Sequence, residues 1–181
     1  MRTLTSRSDV RVRPRPRLAV VMYSSAREFF EAVRTASIDA ERIRRTLERM
    51  GVREQVRAQS YESRGRGGGT TDAMRATDER MDYEARIRRR QEEDYALIDA
   101  ACDIIYGNGQ NGDSGIEAIV GPAAADCMWW RYCAAGTWQE VAEGCGMSRS
   151  WCQSVGVPTA LDCADALGMS RMVSGLGIAE E

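Results

Sequence analysis

The segment from Thr137 to Val155, TWQEVAEGCGMSRSWCQSV, constrains the fold of this chain more than any other stretch. Its apolar residues recur at helical spacing on both sides of a glycine, which predicts two short amphipathic helices joined by a tight turn. Ala142 is small at the point where the two helices must approach closely. Gly146 permits the positive φ of the turn, and Ser148 offers a hydroxyl N-cap for the second helix. The segment therefore predicts a helix-turn-helix unit.

The same spacing divides this unit into an inward and an outward face. The residues predicted to point inward are Val141, Cys145, Met147, Cys152 and Val155. The residues predicted to point outward are Ser148, Arg149, Ser150, Gln153 and Ser154. In a helix-turn-helix the outward face of the second helix meets base edges in the major groove, so this outward set is the predicted DNA-binding site. Arg149 is the candidate for a bidentate contact to guanine.

Two long helices are predicted upstream of this unit. Ser25 to Glu28 forms a capping-box pattern, and apolar residues then follow at alternating spacings of four and three. These residues are Phe29, Val33, Ala36, Ala40, Ile43, Leu47 and Met50. Such a heptad seam predicts packing against a partner helix at a shallow angle, as in a coiled coil. A second helix is predicted from Asp72 to about Tyr106, with an apolar stripe of Met74, Met81, Tyr95, Ile98, Cys102 and Ile105.

These patterns predict an all-α fold, a long antiparallel helical hairpin followed by a small helix-turn-helix domain. The predicted divisions are a basic tail at 1–21, the hairpin at 22–106 with a Gly-rich loop at 64–71, a linker at 107–115 and the helix-turn-helix domain at 116–181. The tail is too polar to bury much surface and is predicted to be disordered; the alternative is that translation starts at Met22.

Within the C-terminal domain, Pro122 is predicted in the first turn of a helix, where its missing N–H costs nothing. The run Gly156-Val157-Pro158 is predicted to end the second helix of the helix-turn-helix after about two turns. Thr159 to Leu167 is predicted as a closing helix. Trp138 and Trp151 are interpreted as packing residues rather than as base-stacking residues.

Composition excludes several classes of enzyme. The 25 basic residues are all arginine, and the chain has no histidine. Imidazole bases, Schiff-base lysines and P-loop lysines are therefore absent, and no carboxylate pair or cysteine–base arrangement stands out. We predict that the chain is not an enzyme and takes no cofactor. It also has no apolar run as long as a membrane span, so no membrane partner is predicted and the cytoplasm is the expected compartment.

The six cysteines are predicted to be buried free thiols, and no metal site is predicted. They are Cys102, Cys127, Cys133, Cys145, Cys152 and Cys163. None forms a C-x-x-C pair, and histidine is absent as a further zinc ligand. Most fall at inward helical positions, where a free cysteine behaves as a small hydrophobic residue.

The chain resembles a family of small prophage regulators in the order of its parts. The residues that carry the likeness are Arg131-Tyr132, the run from Gly136 to Ala142, Gly146-Met147-Ser148 and Trp151. They are similar to the signature LRY…G.TW.EIA…G.S…V of ArpU- and RinA-like phage transcriptional regulators and of region 4 of housekeeping sigma factors. The resemblance implies an all-α fold and control of phage late-gene or packaging-gene transcription through DNA binding.

Charge leaves two functions open. Residues 1–90 hold 22 arginines and 13 acidic residues, whereas residues 91–181 hold 3 arginines and 14 acidic residues. The first hypothesis is a transcriptional regulator that binds double-stranded DNA, as a homodimer, and takes phosphate-binding charge from the basic half. The second is a non-enzymatic interaction factor whose acidic surface contacts RNA polymerase or a host defence complex.

Overall fold

The computed structural model describes the backbone of residues 23–61, 70–107 and 115–168. It describes the side chains and their burial for residues 23–53, 75–107 and 115–168. This part of the chain is all-α and contains no strand. The helices are α1 (Ala26–Tyr61), α2 (Thr70–Tyr106), α3 (Glu117–Val120), α4 (Pro122–Met128), α5 (Trp138–Cys145), α6 (Arg149–Trp151) and α7 (Val157–Ala166). A first π-helical turn (Trp129–Cys133) extends α4, and a second (Cys152–Gly156) joins α6 to α7. The predicted tail, most of the hairpin loop and most of the linker lie outside the described residues; Thr70 and Thr71, predicted in the loop, belong to α2.

The two long helices pack against each other, as the heptad seam of α1 predicts. Five seam residues of α1 are buried, and Leu47 and Met50 are partly buried. The five are Phe29, Val33, Ala36, Ala40 and Ile43. The seam of α1 is therefore confirmed over its first five turns.

The stripe predicted for α2 is confirmed at its C-terminal end, where Ile98 and Cys102 are partly buried against the core, and is wrong nearer the N-terminus; the side chain of Met74 lies outside the described residues. Met81 is 60% exposed and Tyr95 is 45% exposed, although Ile105 is buried as predicted. From the buried Ala101 towards the N-terminus of α2, the partly buried residues recur at spacings of three and four. They are Ile98, Asp94, Gln91, Ile87, Glu84 and Arg80. Most of these are polar, so a search for apolar residues follows the wrong face. Gln91 explains how a polar residue is accommodated there, because its side-chain amide donates to the Ala40 carbonyl at 3.3 Å.

The open end of the hairpin shares one hydrophobic core with the helices of residues 115–168. Phe29, Phe30 and Ile105 from the hairpin are buried in the same cluster as Ile116 and Met128. Polar contacts cross the same junction: the Tyr106 hydroxyl donates to Asp126 at 2.8 Å. The position of the helix-turn-helix relative to the hairpin is therefore set by buried apolar surface as well as by hydrogen bonds.

The start of α1 shows how closely the hairpin is joined to the helices of residues 115–168. Ser25 accepts a bond from the Glu28 N–H at 3.2 Å, as a capping box requires. The return bond differs from the prediction, because the Glu28 carboxylate accepts from the N–H and the hydroxyl of Ser24. The Ala26 N–H donates instead to the carboxylate of Asp165 in α7, at 2.6 Å. Asp165, which lies 139 positions downstream, thus caps α1.

The local features of the helix-turn-helix form as predicted. Pro122 occupies the first turn of α4. The start of α5 goes beyond the prediction, because Thr137 and Glu140 form a reciprocal capping box there. Gly146 ends α5 with φ of 68°, and the Ser148 hydroxyl accepts from the Trp151 N–H at 3.2 Å to cap α6.

The predicted helix end at Gly156-Val157-Pro158 is wrong. The helix that begins at Arg149 continues through the second π-helical turn into α7, and Pro158 lies in the first turn of α7. Proline lacks an N–H and clashes with the carbonyl four residues earlier in an α-helix. The wider turn avoids this clash, because the Val157 N–H donates to the Cys152 carbonyl five residues back.

The same turn explains why Val155 does not point inward as predicted. Its side chain is 44% exposed. A π-helical turn contains more residues than an α-helical turn. The next inward positions after Cys152 therefore come four and five residues later rather than three. Gly156 and Val157 are the buried residues that follow Cys152.

Two exposed glycines provide a matched test of how Trp130 packs on α5. A Cβ at Gly144 in α5 would lie 2.2 Å from the Trp130 ring, whereas a Cβ at Gly51 in α1 would have no neighbour within 4 Å. We expect Gly144→Ala to lower the free energy of unfolding by about 1–2 kcal/mol, because overpacking outweighs the better helix propensity of alanine. Gly51→Ala should raise it by about 0.5–1 kcal/mol. Denaturant titration of the full chain, followed by tryptophan fluorescence, measures both; equal stabilisation by the two substitutions would contradict the packing of Trp130 on α5.

Candidate nucleic-acid interface

The five residues of the predicted DNA-binding set lie together on the surface. Ser148 is the N-cap of α6, Arg149 and Ser150 lie in α6, and Gln153 and Ser154 lie in the second π-helical turn. All five are exposed. The exposure of this surface agrees with the sequence interpretation, whereas its role in binding DNA stays a prediction.

Local hydrogen bonds divide these five residues into two groups. The Ser148 hydroxyl accepts from the backbone N–H of Trp151, so its oxygen helps to start the helix. The Ser154 hydroxyl donates to the Ser150 carbonyl at 2.7 Å, which is a bond within the helix. The side chains of Arg149, Ser150 and Gln153 make no hydrogen bond or ion pair within the described part of the chain. These three are the side chains best placed to contact a ligand.

The nearby carboxylates of α5 make bonds within their own helix. Glu140 accepts from the backbone N–H of Thr137 at 2.7 Å, and this bond lowers the pKa of the Glu140 carboxyl. Glu143 accepts from the Gln139 side chain at 2.7 Å. No ion pair joins Arg149 to a carboxylate among residues 23–53, 75–107 and 115–168. Its positive charge is therefore exposed and not neutralised by direct contact with a described acid.

The two tryptophans of the unit are packing residues, as predicted. Trp138 and Trp151 are both partly buried against the core. The Arg131 guanidinium stacks over the Trp138 ring at 4.5 Å and donates to the Gly136 carbonyl at 3.0 Å. The Trp151 ring lies against Gly156, where an added Cβ would be 2.7 Å from the ring.

A cluster of arginines at the hairpin junction was not predicted from the sequence. The pKa of Arg131 is lowered mainly by its burial and secondly by the like charge of Arg34. Arg27 belongs to the same group, because its charge and those of Arg34 and Arg131 all act on the buried Tyr132. Glu31 is the carboxylate among them. We call Arg27, Arg34 and Arg131 the junction cluster; the seven-residue spacing of its two α1 members is the signal that could have identified it.

The six cysteines are all free thiols, and three of them meet. The sulfur of Cys127 lies 3.2 Å from that of Cys145, which lies 3.5 Å from that of Cys152. Burial raises the pKa of Cys127 and of Cys152, so both are neutral thiols at neutral pH. The sequence search missed this group because its members are separated by 18 and 7 positions rather than by a metal-binding spacing.

Cys102 and Cys133 form a second thiol pair, between α2 and the first π-helical turn. Hydrogen bonds from the Cys133 thiol and the Trp129 side chain lower the pKa of Cys102 to about 7. Cys133 is buried, whereas Cys102 is partly exposed. Cys102 is therefore the cysteine with the most thiolate character in this pair.

Comparison with family models, with curated proteins and with solved structures gives no match to this chain. Within the described residues, no helix is both long enough and apolar enough to cross a membrane.

The lowered pKa of Cys102 predicts selective alkylation. Reaction with iodoacetamide should reach half its maximal rate near pH 7 at Cys102, because the thiolate is the reactive form. Cys163 is the control: it is also partly exposed, but burial raises its pKa, so its rate should still be rising at higher pH. Peptide mapping by mass spectrometry of quenched time courses measures both rates. Equal rates at pH 7 would contradict the hydrogen bonds assigned to Cys102.

Proposed function

We propose that this chain is a prophage-encoded transcriptional regulator that binds double-stranded DNA through the helix beginning at Arg149. The observation that supports this proposal best is the state of Arg149 itself. Its side chain is exposed on the second helix of a helix-turn-helix, and no ion pair with a described residue neutralises it. Ser150 and Gln153 lie beside it with hydrogen-bonding groups free to contact bases. The prophage origin rests on the sequence resemblance alone.

The contacts that hold both ends of the Arg149 helix support this proposal. Its N-terminal end is fixed by the Ser148 cap, and its continuation into α7 is anchored by the buried side chains of Val157, Ala160 and Leu161. A side chain that reads base edges is most selective when its helix is held at a defined angle. Arg149 stands at the N-terminal end of such a helix, which is the end that contacts bases in this class of domain.

Phosphate binding requires more positive charge than the helix beginning at Arg149 carries. Arg149 is the one basic residue between Tyr132 and Met169 in the sequence. The junction cluster adds three guanidiniums from α1 and the first π-helical turn, and the Arg34 Nε is buried without a hydrogen-bond partner in the described part of the chain. We propose that this cluster contacts the DNA backbone.

A dimer fits the same proposal. Regulators of this kind read two half-sites about 34 Å apart with the same helix from two copies. We propose that this chain binds its operator as a homodimer, so that two copies of the Arg149 helix share one site.

A second function is favoured by the exposed acids of the C-terminal half. Glu140, Glu143 and Asp162 are exposed and form no ion pair with any described residue. An acidic surface of this kind suits a basic partner protein, such as a surface of RNA polymerase or of a host defence complex. In that case the helix-turn-helix serves as a scaffold for the acids, and Arg149 has no special role.

Arg149→Ala separates the two functions. A preferred duplex is first selected from random sequences with the full chain, and binding is then measured by fluorescence anisotropy over a range of salt concentrations. We expect the substitution to weaken binding to the preferred duplex by about 5- to 150-fold, the cost of one bidentate base contact. Binding by the unsubstituted chain should weaken steeply as salt rises, because phosphate contacts release counterions.

Arg75→Ala is the matched control. Arg75 is an exposed arginine of α2 that pairs with Glu79 at 3.1 Å. It lies 31 positions before Tyr106 in α2, about 45 Å along the helix from the junction. This control should keep the affinity of the unsubstituted chain. If no duplex binds at low salt, or if both substitutions act equally, the DNA-binding proposal is wrong; recovery of a host protein by the intact chain, lost when Glu140 and Glu143 are changed to Gln, would then support the second function.

A further inference from the structure

Three thiols from separate elements of the helix-turn-helix region meet at one point. Cys127 lies in α4, Cys145 ends α5 and Cys152 begins the second π-helical turn. Their three sulfur atoms all lie within 4.8 Å of one another. Cys127 and Cys152 are buried, and Cys145 is partly buried. No disulfide uses any of these sulfurs.

The sulfur separations are close to those around a single metal ion. With metal–sulfur bonds of about 2.3 Å, a tetrahedral site places two sulfurs about 3.8 Å apart. The observed sulfur–sulfur distances, 3.2 Å between Cys127 and Cys145 and 3.5 Å between Cys145 and Cys152, are slightly shorter than this value. Small rotations of the cysteine side chains would open the group enough to hold an ion at its centre.

The sulfur donor atoms limit the class of metal ion that this group can bind. Thiolate sulfur is a soft ligand that selects thiophilic ions over Mg²⁺ and Ca²⁺, which prefer oxygen. The chain has no histidine to replace a sulfur. Because Cys145 is only partly buried, solvent has access to the group and water is available as a fourth ligand.

We propose that Cys127, Cys145 and Cys152 form a three-thiolate binding site for a thiophilic divalent d¹⁰ cation, of the class of Zn²⁺ and Cd²⁺. Binding replaces the three thiol protons with sulfur–metal bonds, and the protons pass to the solvent. The site goes beyond the proposed function and holds whether or not the chain binds DNA.

The position of the site gives the ion a structural effect. Cys145 and Cys152 lie on either side of the turn formed by Gly146, Met147 and Ser148. A bound ion therefore ties the end of α5 to the helix that carries Arg149, and ties both to α4. Since the ion binds the folded chain, it should raise the thermal midpoint of unfolding.

Cd²⁺ titration of the fully reduced chain tests this site. We expect tight binding of Cd²⁺ with strong ultraviolet charge transfer from thiolate to cadmium, together with a higher thermal midpoint. Cys145→Ser should weaken the affinity at least about 100-fold, since loss of a ligand costs more than loss of a residue that supports one. The titration is carried out without oxygen and with a phosphine reductant, so that thiol oxidation and competing thiols play no part.

Two controls separate this site from the other cysteines. Cys163→Ser removes a thiol that is partly buried like Cys145 but lies outside the group. Cys102→Ser disrupts the second thiol pair. Both variants should keep the affinity of the unsubstituted chain; the proposal is wrong if they lose it as much as Cys145→Ser does, or if Cys145→Ser keeps it.

X-ray absorption of the loaded, unsubstituted chain gives a second test that does not depend on the folding of any variant. Three sulfur neighbours around the metal are expected. A shell of mostly oxygen or nitrogen, or one with two sulfurs or fewer, would overturn the site. Because neither measurement involves DNA, failure of the metal site and failure of the proposed DNA binding are separate results.

Discussion

The contact between the Phe30 and Tyr132 rings is the interaction on which the arrangement of this molecule depends. The ring centroids are 5.4 Å apart, and both side chains are buried. Ser37 adds a polar contact at the same place, because its one hydroxyl hydrogen is shared between the Tyr132 carbonyl at 3.1 Å and the Val33 carbonyl of its own helix at 3.0 Å. The Tyr132 carbonyl lies in the last turn of its helix, where no backbone N–H within the helix remains to bond it. Apolar burial and the satisfaction of a buried carbonyl therefore fix the hairpin against the first π-helical turn together.

Much of the fold could be predicted because local rules and burial agree there. The α1 seam has apolar residues at nearly every inward position, so its face could be identified from spacing alone. The glycine at position 146 and the N-cap at Ser148 are set by backbone geometry over a few residues, and both form as predicted. Such features depend little on distant parts of the chain.

The parts that could not be predicted depend on contacts distant in sequence. The inward face of α2 is fixed by packing at Ala101 and Ile105, and this phase carries polar residues such as Gln91 into the seam. Pro158 continues a helix instead of ending one, because a wider turn forms before it. The three-cysteine group needs α4, α5 and the second π-helical turn to be in place before its members meet. No spacing rule for short motifs describes residues that come together in this way.

Among the described residues of the candidate interface, the charge is a balance between hydrogen-bonded acids and the exposed cation of Arg149. The bond from Thr137 lowers the pKa of Glu140, so this carboxyl stays ionised at neutral pH and contributes a negative field near α6. Hydrogen bonding holds the acid in place but does not remove its charge. Under the proposed function, a DNA phosphate approaching Arg149 would meet both attraction and repulsion, and the junction cluster would have to supply the additional positive charge. An ion held by Cys145 and Cys152 would act on this balance through the angle between α5 and the Arg149 helix, because both residues border the turn that sets that angle.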